Sequence, residues 1–301
     1  MKNIKTVLGQ IPETEMGTML AHEHICCYNE YIYKMVGKAY MDKDELFESA
    51  VRQLKMLKEK YNLRTFIDCT PINIGRDVQL LKRVSEESGV NIICSTGFYY
   101  NDEPVLYTSS AELLSEYIIS DAVNVNAGII KCAVESENIS AFNEKVLRAC
   151  AKAQLKLELP IVMHTNARNK NGVKALEILL EEGVKPQAIT VAHLSDTEDV
   201  EYISGFAKLG CYIGLDRIYE NYSDEYINSK VKTILDLYEA GYGDKLLLSH
   251  DKLIFNGFNT EPNLNDNTKF SYCFDYILPK LPKELSEQIT VKNPLNMLKM
   301  I

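Results

Sequence analysis

No apolar run in this 301-residue chain approaches the roughly 18 residues that a transmembrane helix needs. The first residues, Met-Lys-Asn-Ile-Lys-Thr, also lack the apolar core of a secretory signal peptide. Lysine and arginine form no tract, and the net charge is −9. Nucleic acids and anionic membranes are therefore not expected as partners, because both attract basic surfaces.

The eight cysteines include no C-x-x-C pair, so neither a zinc ribbon nor a dithiol redox site is indicated. Most cysteines lie inside apolar runs, which fits reduced thiols and predicts a cytoplasmic protein. Cys26 and Cys27 follow the first apolar run, but adjacent cysteines rarely bind one ion and are not predicted as ligands here. The chain shows no linker or low-complexity tract, so residues 1–301 are predicted to form one domain.

Short apolar runs alternate with longer amphipathic stretches along the whole chain. The runs are rich in Ile, Val, Leu or Cys without polar alternation, as expected of strands that are buried on both faces. This alternation predicts an α/β fold, a (β/α)8 TIM barrel preceded by a short N-terminal hairpin at 5–17. The predicted strands are 18–24, 65–70, 91–97, 128–134, 161–165, 189–194, 211–216 and 245–251.

Helical spacing of apolar residues predicts the segments between the strands to be helices. Several of these segments end in glycine, the residue expected just past a helix end. The predicted helices are 44–61, 78–88, 111–123, 142–157, 173–182, 200–209 and 230–240.

All five histidines lie at the ends of predicted strands. Histidine is the commonest metal ligand, and barrel enzymes carry their chemistry at the carboxyl ends of the strands. The positions correspond to the first, fifth, sixth and eighth barrel strands. We therefore expect one polar site. The histidines are His22, His24, His164, His193 and His250.

The first strand ends in His22-Glu23-His24, and a period of two directs both imidazoles to the barrel interior, where they suit a divalent cation. The alternative is a hydrogen-bonded pair of core histidines. His164 and His193 end adjacent strands and predict a shared metal, although each alone is more often a buried structural histidine.

Asp251 ends the last strand, where a carboxylate can complete a metal site and accept a proton from water. By alternation, its neighbour His250 should point away from the barrel interior, and Glu23 is expected to be structural. Lys131 lies within an apolar run, where an unpaired ammonium is costly. It is either carbamylated beside the metals or a strand-end lysine that reaches solvent.

Nine segments, in order and nearly end to end, resemble the phosphotriesterase family of the amidohydrolase superfamily. They are H-E-H-I at 22–25, I-G-R-D-V at 74–78, T-G-F-Y at 96–99, G-I-I-K at 128–131, H-T at 164–165, the histidine at 193, G-L-D at 214–216, S-H-D at 249–251 and N-P-L-N-M-L at 293–298.

This resemblance implies a hydrolase that uses two divalent metal ions and a bridging hydroxide. Zinc is the expected metal, with manganese, cobalt or iron as alternatives. A carbamate on Lys131 would bridge the ions, and relatives suggest a homodimer. The implied ligands are His22, His24 and Asp251 for the buried ion and His164 and His193 for the exposed one.

The resemblance also implies roles for three residues beside the metals. Asp196 matches a carboxylate that receives the proton from Asp251; alone it would be an ordinary loop or capping aspartate. Arg217 and Tyr99 match the lactonases of the family, whereas phosphotriester specialists carry histidine and tryptophan there. The alternative for Arg217 is a surface ion pair with Asp216 or Glu220.

A lactone substrate is therefore expected, with acyl-homoserine lactones, phosphotriesters and carboxylic esters as alternatives. The loop at 252–269 is largely polar and offers little lining for a long acyl chain. The loop at 25–43 carries tyrosines and lysines that suit a small polar lactone, possibly a phosphorylated sugar lactone. The tyrosines and lysines of the 25–43 loop are Tyr28, Tyr31, Tyr33, Lys34 and Lys38.

The non-enzymatic alternative is a degenerate barrel that only binds a small molecule. No predicted metal ligand is missing from the sequence, so this alternative is not favoured.

Overall fold

A curled parallel sheet forms the centre of the computed structural model, which describes residues 2–101 and 103–299. Strands β1 (Asn3–Thr6) and β2 (Gly9–Pro12) pair antiparallel and form the predicted N-terminal hairpin. The barrel strands are β3 (Thr18–Cys27), β4 (Leu63–Asp68), β5 (Asn91–Gly97), β6 (Ile129–Ala133), β7 (Ile161–His164), β8 (Ile189–Val191), β9 (Tyr212–Leu215) and β10 (Leu246–Leu248).

Each barrel strand pairs in parallel with the next along the chain, from β3 to β10. The ring closes where the Asp251 N–H donates to the His22 carbonyl at 3.1 Å. The His22 N–H in turn donates to Ser249 Oγ at 3.0 Å. Two further strands, β11 (Leu253–Asn256) and β12 (Asn263–Leu264), extend the sheet beside β3. The predicted TIM barrel is confirmed.

Helices follow the strands and cover the outside of the barrel. The prediction for 230–240 was wrong in its start, because Ser223 caps the helix through the N–H of Tyr226, seven residues before 230. The helices are α1 (Glu30–Val36), α2 (Lys43–Tyr61), α3 (Val78–Ser88), α4 (Pro104–Thr108), α5 (Ala111–Val125), α6 (Ala141–Leu157), α7 (Gly172–Glu181), α8 (Val200–Leu209), α9 (Asp224–Leu237), α10 (Lys283–Glu287) and α11 (Asn293–Lys299).

The barrel interior is an apolar cluster that draws residues from all eight barrel strands or their ends, among them Met19, Ile67 and Ile129. Ile4 of the hairpin and Met297 of α11 join the same cluster, so both elements close the amino-terminal end of the barrel. Alternation along β6 directs Lys131 to the same interior face as Ile129, one layer nearer the carboxyl end.

Three consecutive barrel strands end in residues with left-handed backbone conformation. The φ angles are 67° at His193, 62° at Arg217 and 55° at Asp251. Such angles are uncommon outside glycine and cost on the order of 1–3 kcal/mol each. Three of the seven non-glycine residues with such angles in the described chain thus lie at the carboxyl ends of β8, β9 and β10.

Among the described residues, no helix combines the length and the apolar character that crossing a membrane requires. All eight cysteines are buried and free of disulfide bonds.

Candidate active site

The structure brings all six predicted metal ligands together at the carboxyl end of the barrel. His22 and His24 direct their Nε2 atoms towards the same oxygen, Asp251 Oδ1, at 3.5 Å and 3.1 Å. The two rings lie 5.6 Å apart, centroid to centroid, so alternation along β3 places both in the interior as predicted. The six side chains, each 15 % exposed or less, belong to His22, His24, Lys131, His164, His193 and Asp251.

The side chains of His164 and His193 approach each other beside the group formed by His22, His24 and Asp251. His164 Nδ1 lies 2.8 Å from His193 Nε2 and 3.2 Å from the phenol oxygen of Tyr99. The potential ligand atoms of His22, His193 and Asp251 all lie within 4.8 Å of one another. The two predicted metal positions are therefore adjacent and could share a bridging ligand.

Asp216 holds two of the four imidazoles from the outer side. Its Oδ2 lies 2.6 Å from His22 Nδ1, and its Oδ1 lies 2.7 Å from His193 Nδ1. A carboxylate can only accept, so both histidines donate from Nδ1 and turn Nε2 inward. We did not predict this role from the sequence, although Asp216 belongs to the G-L-D segment; an aspartate ending a buried strand was the available signal.

The other two imidazoles are held in the same manner. Thr70 Oγ1 lies 2.8 Å from His24 Nδ1, and Glu135 Oε2 lies 2.9 Å from His164 Nε2. Neither partner was predicted. Every candidate ligand histidine thus has one ring nitrogen fixed by a polar side chain and the other directed inward. This arrangement is typical of metal-binding histidines, whose outer partner sets tautomer and orientation.

Lys131 is 1 % exposed, and its Nζ lies 2.6 Å from His22 Nε2. The alternative of a lysine that reaches solvent is therefore wrong. The close approach of β5 and β6 leaves no room for a side chain at Gly97, where a Cβ would lie 2.0 Å from the Lys131 carbonyl oxygen. The backbone of the lysine is thus fixed in the wall of the site.

The ionisation states of the site suit cation binding except at His24. Burial lowers the pKa of His24, but neighbouring Cys27 and Asp251 raise it to about 10, so this imidazole would have to release a proton when a metal binds. Burial, then the charge of Lys131, lowers the pKa of His22 to about 3, and burial lowers the pKa of His164 well below its usual value. Burial opposes ionisation of Asp216 and Asp251, but neighbouring histidines hold both pKa values below the usual range. Neutral imidazoles and ionised carboxylates are the forms that bind metals.

Arg217 joins the two predicted catalytic carboxylates. Its Nε donates to Asp251 Oδ2 at 2.9 Å, and its Nη1 donates to Asp196 Oδ2 at 3.1 Å. The arginine side chain is only 20 % exposed, so the alternative of a surface pair with Asp216 or Glu220 is wrong. Asp199, not Asp196, caps the following helix.

His250 lies outside the site. Its Nδ1 is 2.6 Å from Glu23 Oε1, and its Nε2 accepts from the N–H of Cys273 at 3.1 Å. Glu23 also accepts from the N–H of Lys252 at 3.0 Å. The two buried side chains therefore join β3 to the end of β10, in agreement with the structural role expected for both.

A cavity of about 270 Å³ opens beside the inward-facing nitrogens. Its lysine and arginine lining residues in the described part of the chain are Lys131 and Arg217, and both contact other groups of the site. His24, His164 and Asp251 also line it, and the rest of the lining is mainly aromatic, aliphatic and amide side chains. These other residues are Cys27, Ile74, Tyr99, Tyr100, Asn101, Leu253, Asn256 and Phe258.

The five residues expected to favour a phosphorylated substrate do not line this cavity. Lys34 pairs with Glu30 and Lys38 with Asp42, each four residues away on the surface. Tyr28 is buried, and Tyr31 is 72 % exposed. The local pairing of both lysines removes this support for a phosphate group. The 252–269 loop, expected to be a polar loop, contains β11 and β12 and contributes Leu253 and Phe258 to the lining.

The histidines and carboxylates gathered at the carboxyl end of this barrel are the donor types of a metal site, at the end where barrel enzymes carry their chemistry. The family model described as "Phosphotriesterase family" matches residues 2–298, and the chain belongs to this family. It is an enzyme, a hydrolase of that family, as predicted.

Three relatives illustrate the range of the family. An aryldialkylphosphatase of Saccharolobus solfataricus is 31 % identical over 290 residues, covering 91 % of this chain and 90 % of the relative. A phosphotriesterase homology protein of Mycobacterium tuberculosis is 30 % identical over 266 residues, covering 83 % and 81 %. An N-acetyltaurine hydrolase of Xenopus tropicalis is 28 % identical over 341 aligned positions, covering 97 % and 96 %.

Proposed function

We propose that the enzyme is a lactonase with a binuclear metal centre. His22, His24 and Asp251 would hold one ion, and His164 and His193 the other, with zinc as the expected metal. A carbamate on Lys131 would bridge them. The observation that carries the proposal is the common orientation of the four histidines: an outer polar side chain holds one ring nitrogen of each, and the other nitrogen is directed into the site. Bound ions would lower the pKa of water and polarise the substrate's oxygen.

Asp251 is placed to act as the proton acceptor. Its Oδ2 is held by Arg217, while its Oδ1 faces the inward nitrogens of His22 and His24. It would take a proton from the attacking water and return it to the ring oxygen of the lactone as the C–O bond breaks. The product is then a hydroxy acid, with one water added.

Asp196 supports this step through Arg217. A guanidinium stays protonated in proteins, so it cannot pass a proton from Asp251 to Asp196. We therefore assign Asp196 a positioning role, in which it fixes Arg217 at 3.1 Å and so orients Asp251. This differs from the role as proton recipient that the family resemblance implied.

Tyr99 would donate a hydrogen bond to the substrate. Burial, followed by the nearby phenol of Tyr100, raises the pKa of Tyr99 well above its usual value, so the phenol keeps its proton. The Tyr99 ring lies 4.3 Å from the Tyr100 ring and 5.1 Å from the His164 ring. The two tyrosines thus form one wall of the cavity above the exposed metal position.

The cavity favours a compact, uncharged lactone. A volume of about 270 Å³ corresponds to about nine waters at roughly 30 Å³ each, enough for a ring with short substituents. Lys131 would be a carbamate in the proposed centre, and Arg217 pairs with Asp251 and Asp196, so neither side chain offers a free cation to a phosphate. The phosphotriester hydrolysis named for the Saccharolobus relative is the second candidate, because that relative matches 91 % of this chain.

A substrate panel with metal-loaded protein tests the proposal. It should contain alkyl lactones of increasing chain length, a phosphorylated sugar lactone, an aryl dialkyl phosphate and N-acetyltaurine. We expect the highest kcat/KM for short, uncharged lactones, and His22→Ala should abolish hydrolysis. A preference for the phosphate triester or the amide would refute the lactonase, and activity of His22→Ala would refute the metal centre.

A further inference from the structure

The loop after β6 holds His164 through a partly exposed carboxylate, whereas the outer partners of the other ligand histidines, Asp216 and Thr70, are buried. His22 and His193 share the buried Asp216, which is 2 % exposed. His164 instead contacts Glu135, a loop residue whose side chain is 40 % exposed. In residues 2–101 and 103–299, Glu135 is the one hydrogen-bond partner of His164 Nε2.

Glu135 is itself fixed by the chain that follows His164. Its Oε1 accepts from Asn166 Nδ2 at 2.8 Å, and its carbonyl accepts from Asn169 Nδ2 at 3.0 Å. Asn171 Nδ2 donates to the carbonyls flanking Glu135, those of Val134 and Ser136. Three asparagines therefore clamp the glutamate against the loop after β7.

The contact sets the tautomer of His164. A carboxylate accepts and cannot donate, so the imidazole carries its proton on Nε2. The unprotonated Nδ1 then faces His193 Nε2 at 2.8 Å, with Tyr99 Oη at 3.2 Å. Without Glu135, the ring could rotate or exchange tautomers, and its Nδ1 would be presented for only part of the time.

We propose that Glu135 is a positioning residue that fixes the tautomer and orientation of His164 and so sets the affinity of one metal position. The inference rests on the two-metal centre proposed above. Partners of this kind typically change metal affinity by about 10- to 100-fold. The effect should be confined to the position that His164 and His193 form, because the other ligands have separate outer partners.

Metal titration in competition with a chromophoric chelator tests the proposal. The variants are Glu135→Ala, Glu135→Gln and, as a matched control, Glu137→Ala, which removes an exposed carboxylate two residues along the same loop. We expect Glu135→Ala to bind one ion about 10- to 100-fold more weakly. Glu135→Gln should recover most of the affinity, because its amide oxygen still accepts, and Glu137→Ala should match the wild type.

The cobalt-substituted proteins provide a second readout, since the visible spectrum reports ligand geometry. Glu135→Ala should alter it and Glu137→Ala should not. If Glu135→Ala fails to fold, Asn166→Ala leaves the glutamate but removes its clamp, and the same position should weaken to a smaller extent. Unchanged affinity in folded Glu135→Ala overturns the proposal. A single ion in the wild type would overturn the two-metal centre instead, and the affinity comparison would still decide the role of Glu135.

Discussion

At the scale of single residues, the site is ordered by carboxylates that are not predicted ligands. Asp216 orients His22 and His193, and Glu135 orients His164. The ligand candidates were readable from the sequence because strand alternation and strand ends fix where a side chain points. Their outer partners were not, because those contacts join residues from different strands and loops. Apart from Asp216, which ends a buried strand, nothing local in the chain distinguishes them.

Replacing Arg217 tests the pair that it forms with Asp251. Hydrogen bonds to charged groups contribute about 1.5–3 kcal/mol, so Arg217→Met should lower kcat by about 10- to 100-fold. Metal content should stay near that of the wild type, because Arg217 contacts Asp251 through Oδ2 and not through Oδ1. Arg217→Lys keeps the positive charge but cannot contact Asp251 and Asp196 with the same geometry, so its kcat should lie between those of the wild type and Arg217→Met. Full activity of Arg217→Met would contradict this role.

The pKa of His22 makes the metal-free protein sensitive to acid. His22 has a pKa of about 3 when folded and about 6.5 when unfolded, so the unfolded chain binds more protons between these values. Stability therefore falls as the pH drops through this window. From pH 7 to pH 5, His22 should account for about 2 kcal/mol of lost unfolding free energy.

Urea unfolding of metal-free protein at pH 7 and pH 5 measures this effect. His22→Gln cannot titrate in this range and should lose about 2 kcal/mol less than the wild type. Equal losses in the two proteins would show that His22 titrates alike in the folded and unfolded states.

At the scale of elements, the barrel order was predictable and some boundaries were not. The eight buried strands are recognisable in the sequence as apolar runs. Helix α9 begins earlier than the spacing of its apolar residues predicted, after the capping serine Ser223. Strand β11, Leu253–Asn256, was read as part of a polar loop because its neighbours are polar. It pairs with β3, so tertiary pairing rather than local composition decides its state.

The N-terminal hairpin should stabilise the barrel without taking part in catalysis. Ile4 is 5 % exposed and packs in the interior cluster at the amino-terminal end, opposite the site. Ile4→Ala should cost about 2–5 kcal/mol and lower the melting temperature, with kcat unchanged. Leu8→Ala, in the same hairpin but 49 % exposed, is the control and should change neither. A loss of kcat in folded Ile4→Ala would contradict the claim that the hairpin contributes to stability and not to catalysis.

At the scale of the whole molecule, bound metal should contribute to stability. A ligand present at 100 times its Kd stabilises the folded state by about 2.7 kcal/mol. Chelation should therefore lower the melting temperature by several degrees, and adding back the metal should restore it. Calorimetry with and without chelator measures the shift. An unchanged melting temperature after verified metal removal would contradict a preformed centre that binds metal only when folded.

The homodimer suggested by the family resemblance stays a prediction, as does the location in the cytoplasm. Sedimentation equilibrium across a range of protein concentrations should give twice the chain mass of 34.2 kDa. A single-chain mass at all concentrations would exclude the dimer.

The left-handed residues His193, Arg217 and Asp251 lie between the barrel strands, which carry the reactive groups, and the loops, which would contact the substrate. At each of these residues the side chain points into the site while the backbone turns away and begins the loop. The loops beyond could therefore change in length or sequence while the barrel still aims the reactive groups. Exchange of these loops between relatives offers a route to new substrate preferences on an unchanged centre.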